Sequence, residues 1–203
     1  MNRYAFAALF IFALECFPSF AADGMASKVP VVAGRMICST QWTIGSEPEP
    51  LLIVITASAD ELAPTHKLVT FRKSGQEWHE IASFEVDASP LDLILTSEQD
   101  GALISEWVTG SGYLAYVLEY SPHERKPRMV LRTGAKAPPD LVRSPTAEFD
   151  FALLVRDDHA GVAARGTKGD TASVYEFKKG GEVQKRTVAW SDRFAGFAGG
   201  PTH

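Results

Sequence analysis

From Arg35 onward the chain alternates side chains with a period of two, and it does not hold a period of 3.6 for the length of a helix. Leu91, Leu93 and Leu95 fall on one face of an extended segment, with Asp92, Ile94 and Thr96 on the other. Leu114, Tyr116, Leu118 and Tyr120 alternate in the same way with Tyr113, Ala115, Val117 and Glu119, and Phe149, Phe151, Leu153 and Val155 repeat the pattern. Successive residues of a strand point to opposite faces of a sheet, so this spacing fits strands and fails for helices. The apolar runs are short and turn residues interrupt them often, which restricts the chain to an all-β fold.

The stretch from Leu91 to Gly134 supplies the unit of repetition. It reads as strands over Leu91–Thr96, Ala102–Val108, Tyr113–Tyr120 and Arg128–Arg132, with turns at Asp100-Gly101, Thr109-Gly110-Ser111-Gly112 and Ser121-Pro122-His123. Asp-Gly between alternating runs is a strong hairpin signal, because glycine accepts the positive φ of tight primed turns. A looser copy precedes it, with strands over Arg35–Trp42, Leu51–Thr56, Lys67–Arg72 and Glu77–Val86. Another follows, over Phe149–Arg156, Gly161–Arg165, Ser173–Lys178 and Glu182–Trp190. Phe71-Arg72-Lys73-Ser74-Gly75 and Phe177-Lys178-Lys179-Gly180-Gly181 hold the same place before the fourth strand. The expected organisation is one all-β domain over residues 35–195 in three sections, 35–90, 91–147 and 148–195, with a Gly-rich tail at 196–203.

Sections of four antiparallel strands resemble the blades of a β-propeller, and the hairpin around Phe71–Ile81 is similar to a degenerate propeller hairpin. Closed propellers have ~4 to 8 blades, whereas three sections are counted here. The resemblance therefore implies one of three outcomes: a ring closed by a homodimer, an open arc, or a β-sandwich with covered edges.

The N-terminus bears on location. A basic start at Arg3 precedes an apolar run from Tyr4 to Leu14, Pro18 follows, and Ser19-Phe20-Ala21 offers small residues for a peptidase. Residues 1–22 read as a secretory signal peptide, followed by an extended lead-in over 23–34, so the expected location is periplasmic or secreted. The run is interrupted by Glu15 and is shorter than the ~20 residues of a spanning helix, so no membrane association is expected after cleavage. Removing the signal takes away one charge of each sign and leaves a formal net charge of -5. That balance lacks the basic footprint of a nucleic-acid partner. Cys38 is then the one cysteine left, in the strand-like run Arg35–Thr40, where a buried thiol is the plain reading.

No motif announces catalysis, and no cofactor is expected. Gly110-Ser111-Gly112 lacks the G-x-S-x-G frame of a nucleophile elbow, and residues 166–170 lack the P-loop pattern. Asp157-Asp158-His159 is the densest ligand-type cluster, and His66, His79 and His123 stand singly without metal spacing, so no metal site is expected. Glu106, Glu119 and Glu176 lie within strands, where basic cross-strand neighbours account for them as well as paired catalytic carboxylates do. The basic run His123–Arg128 reads as a solvated hairpin end, and Trp42, Trp78, Trp107 and Trp190 read as packing residues.

One loop differs from the rest. Thr109, Gly110, Ser111 and Gly112 are small and uncharged and lie between Trp107 and Tyr113, a composition suited to entering a narrow cleft. The segment Ser97–Tyr120, with its S-x-x-D-G turn, Gly-Ser loop and Tyr-ended strand, resembles the β-rich periplasmic immunity proteins that neutralise peptidoglycan-cleaving amidase toxins. In that family a serine-bearing loop plugs the toxin's catalytic cleft, and the matching positions here are Gly110-Ser111-Gly112. The match covers one section and lacks the family's cystine pairs. It implies a protein-binding module whose partner is a cell-wall amidase. The alternatives are a propeller-like hydrolase of envelope glycans or peptides and a structural subunit of an envelope assembly.

Overall fold

The structure is a computed structural model that describes residues 30, 32–60, 62–143, 149–156, 171–178, 182–194 and 197. Among the described residues, twelve strands form three four-stranded antiparallel sheets, each a meander with its strands in sequence order. Sheet 1 contains β1 (Arg35–Trp42), β2 (Leu51–Ala57), β3 (His66–Ser74) and β4 (Glu77–Val86). Sheet 2 contains β5 (Ser89–Leu95), β6 (Leu103–Val108), β7 (Tyr113–Ser121) and β8 (Lys126–Ala135). Sheet 3 contains β9 (Asp140–Arg143), β10 (Phe151–Arg156), β11 (Thr171–Phe177) and β12 (Gln184–Ala189). The expected all-β, propeller-like series of three sections is thus present, and it is not closed into a barrel.

The sheets stack in chain order, and alternation along the strands explains how. Leu51, Ile53 and Ile55 of β2 meet Leu103 and Trp107 of β6 in one core, while Ile104 of β6 meets Leu153 and Val155 of β10 in the next. Sheet 2 therefore has an apolar layer on each face. The outer faces of the end sheets are also buried at Leu52 and Val54 on one side and at Ala152 and Leu154 on the other. The second strand of every sheet is consequently buried on both faces; β2 and β10 are near-continuous apolar runs, whereas β6 carries Ser105 and Glu106 among its apolar residues.

Two local readings change. The loop between β5 and β6 spans residues 96–102, closed by the Thr96 amide donating to the Ala102 carbonyl (3.0 Å) and the Ala102 amide donating to Thr96 Oγ1 (2.8 Å). Its left-handed residue is Asp100 (φ 54°), not Gly101. Glycine is required at 101 for space, since a Cβ there would lie 2.5 Å from the Ser97 amide nitrogen. In sheet 3, β10 pairs directly with β11, and the first strand is Asp140–Arg143, a segment to which the alternation assigns no strand. Those four residues are too few for alternation to register. The expected strand Gly161–Arg165, the Asp157-Asp158-His159 cluster, the 166–170 loop and the signal peptide lie outside the described residues.

A buried ion cluster ties sheet 1 to sheet 2. Glu47, in the loop after β1, has a side chain only 1% exposed and receives Arg72 of β3 through Nε (2.8 Å) and Nη2 (3.1 Å). The Tyr120 hydroxyl donates to the same carboxylate, and Arg125 approaches it at 3.4 Å from the β7–β8 turn. Arg125 adopts φ 52°, and its carbonyl accepts a hydrogen bond from Arg72 Nη2. Burial pushes the Glu47 carboxyl up, but hydrogen bonds from Tyr120, Arg125 and Arg72 outweigh it and hold the group below its ordinary value. Breaking a buried ion pair costs about 3–5 kcal/mol, and the partial exposure of both arginines reduces this to about 2 kcal/mol for Glu47→Gln at pH 7. Because the folded-state value is depressed, this stabilisation is complete above the unfolded value and is lost as pH falls through the folded one. Urea titrations at pH 7 and pH 3 should show a smaller difference for Glu47→Gln than for the parent; an equal difference would remove Glu47 from the acid response.

Candidate functional site

The β6–β7 hairpin lies at one end of the middle sheet. Val108 pairs with Tyr113, and between them the Thr109 amide donates to the Gly112 carbonyl (2.8 Å) while the Ser111 amide donates to Thr109 Oγ1 (3.3 Å). The tip is thus closed by its own hydrogen bonds, and Gly110 and Ser111 are exposed. A Cβ at Gly110 would meet nothing within 4 Å. Trp107 is wholly buried beneath the tip. Its indole stands edge-on to Tyr116 at 6.5 Å, tilts against His66 at 6.3 Å, and donates to Ser105 Oγ (3.1 Å). Tyr113 is half-buried against the core between sheets 2 and 3. Of the six residues singled out by sequence, Thr109, Gly110, Ser111 and Gly112 form the tip, Tyr113 flanks it, and Trp107 is its interior anchor.

Beside this hairpin the structure places a carboxylate whose environment the sequence did not reveal. Glu106 is 6% exposed and alternates with Ile104 on the face toward sheet 3. Its cross-strand neighbours are Asp92 and Ala115, not a lysine or arginine. Burial, then the charges of Asp92 and Asp140, push its carboxyl up to about 7. The other two strand glutamates do have basic neighbours. Glu119 stands opposite Arg128, and Glu176 accepts Arg186 Nε at 2.8 Å. Asp140 also faces Arg193, with Nε 3.5 Å from its carboxylate.

The remaining candidates are dispersed. His66 is buried against Trp107, His79 lies 4.0 Å from Glu77 at the surface, and Cys38 is half-buried against the core of sheets 1 and 2. Among the described residues, no three His, Cys, Asp or Glu side chains are grouped to hold a metal ion, and no helix is long and apolar enough to cross a membrane. No protein-family model matches the chain, and a search of curated proteins finds no match either.

Proposed function

We propose that the protein is a binding module that presents the Thr109–Gly112 hairpin to a protein partner in the periplasm or outside the cell. The finer reading is an inhibitor or immunity protein whose loop occupies the cleft of a cell-wall amidase. The observation that carries the proposal is the pairing of an exposed, uncharged, self-closed tip with a wholly buried tryptophan anchor on the central sheet. A loop already held in one conformation loses little entropy on binding, so a small contact suffices for affinity. Small uncharged residues also enter a narrow cleft without desolvating a charge.

Gly110→Trp tests this reading. The site is open and φ is not positive, so the variant should fold with unchanged stability while filling the space a partner needs. The wild-type protein, used as bait in envelope extracts of its own organism, should retain a peptidoglycan amidase and inhibit it. Gly110→Trp should weaken capture by at least about tenfold, or 1.4 kcal/mol. Equal capture by the two proteins would remove the hairpin from the interface, and retention of a partner without cell-wall activity would remove the amidase.

A further inference from the structure

The last residues of β6 carry the hairpin, and their two faces differ. Trp107 points toward sheet 1, where it meets His66, while Glu106 points toward sheet 3 and is only 6% exposed. Its direct cross-strand neighbours are Asp92 on β5 and Ala115 on β7, and Thr133 of β8 continues the same row. The Thr133 hydroxyl lies 3.4 Å from that of Tyr175 on β11. From sheet 3, β10 adds Leu153 and Val155 to this core, and β9 brings Asp140, whose carboxylate already faces Arg193 after β12. Among the described residues, the charged groups acting on Glu106 are thus two carboxylates, Asp92 and Asp140.

A charge placed on Glu106 finds no counter-charge, and like charges directly opposite in a sheet repel. It is relieved either by a proton or by opening of a strand that buries it. The weakest such strand is the start of β5. Because β5 is an edge of sheet 2, its start is held in the sheet by β6 alone, with Ser89 opposite Val108, Pro90 opposite Trp107 and Asp92 opposite Glu106. Proline donates no backbone hydrogen bond, and the register shifts between Pro90 and Asp92, so the ladder is interrupted there. Segments with few backbone bonds open at well below the cost of global unfolding. Opening this one hydrates Glu106 and removes one flank of Val108, the residue from which the tip departs.

We infer that Glu106 is a proton-operated latch on the hairpin: protonated, it lets the start of β5 lie on β6 and holds the tip in one form, and ionised, it releases that strand end. Burial and the two aspartates push its carboxyl up to about 7, so the latch is closed in acid and loosens as pH rises through neutrality. Its use in regulating a partner rests on the hairpin reading above, whereas the latch itself is a property of the fold and is measured without a partner.

The test is native-state amide hydrogen exchange of the purified protein at pH 6 and pH 8, corrected for the intrinsic pH dependence of exchange. At pH 8 the amides bonded between residues 89–92 and 106–108 should be at least about tenfold less protected than those of β2 and β10, which marks a local opening. Their own protection should fall about tenfold from pH 6 to pH 8, and the Thr109 amide that closes the tip should follow them. Glu106→Gln should abolish that fall, and Asp92→Asn, at an exposed position, should reduce it. His66 is present in the parent and both variants, so any change it causes survives in all of them. Four results would each overturn the latch: protection of this segment equal to that of β2 and β10, no fall with pH in the parent, the same fall in Glu106→Gln, or a Thr109 amide indifferent to pH. All four leave the hairpin reading standing, since that reading fails only on capture with Gly110→Trp, which the exchange measurement does not touch.

Discussion

Replacing Trp42 with alanine is expected to destabilise the protein by about 3–5 kcal/mol, the range for removing a fully buried large aromatic. Trp42 ends β1 with no exposed surface, in the core shared by sheets 1 and 2. It stands edge-on to Tyr120 at 6.5 Å and donates from Nε1 to the Gly101 carbonyl of the next sheet. The substitution removes that contact, opens a cavity between two sheets and leaves the carbonyl without its partner. Native domains hold only about 5–15 kcal/mol in total, so the variant should approach the limit of folding. Trp42→Phe retains most of the volume and loses the hydrogen bond, with an expected cost of about 1–3 kcal/mol. Urea unfolding with comparable m-values gives both figures. A loss below about 1 kcal/mol for the alanine variant would mean that the sheets are joined elsewhere.

Much of this architecture was legible because the strands are amphipathic in an unusual sense. In sheet 1 the expected strands Arg35–Trp42 and Glu77–Val86 coincide with β1 and β4, since alternation and flanking turns agree there. The first strand of sheet 3 was not legible. Asp140–Arg143 contributes Leu141 to one core and Val142 to the other, so both apolar residues are consecutive and no alternation marks them. The β5–β6 turn was located correctly from Asp100-Gly101, but the reason for the glycine differs. Backbone conformation is visible in a dipeptide, whereas the close approach of Ser97 is a property of the folded loop.

The same division applies to the sites. The tip residues Thr109–Gly112 announce a hairpin by their composition, but the burial of Trp107 depends on sheet 1 packing against it. The Glu47 cluster joins residues 25 and 73 positions apart, so nothing local in the sequence marks it. Glu106 is the sharpest case. Its neighbours in sequence are those of an ordinary exposed strand glutamate, and only pairing with β5 and stacking on β9 put two aspartates beside it.

That environment sets the second large effect. Glu106 titrates near 7 in the folded protein against an ordinary value of 4.5, so folding favours its protonated form. Between these values the native state holds a proton that the unfolded chain has released, and stability therefore falls as pH rises. A shift of this size corresponds to about 3 kcal/mol lost between pH 4.5 and 7, with no further loss from this group above that. Glu106→Gln retains the shape and cannot ionise, so at pH 8 it should be about 3 kcal/mol more stable than the parent, while at pH 4 the two should nearly coincide. Glu47 acts in the opposite sense, because its depressed value withdraws stability only as pH falls below the ordinary carboxyl range. Together the two groups place the stability maximum in mildly acidic solution, and substituting Glu106 should move it toward neutrality. Urea midpoints from pH 4 to 9 measure this directly. A parent profile that rises through pH 5–7, or a Gln variant with no advantage at pH 8, would show that Glu106 is ionised without penalty and that the acidic face between sheets 2 and 3 is open to solvent.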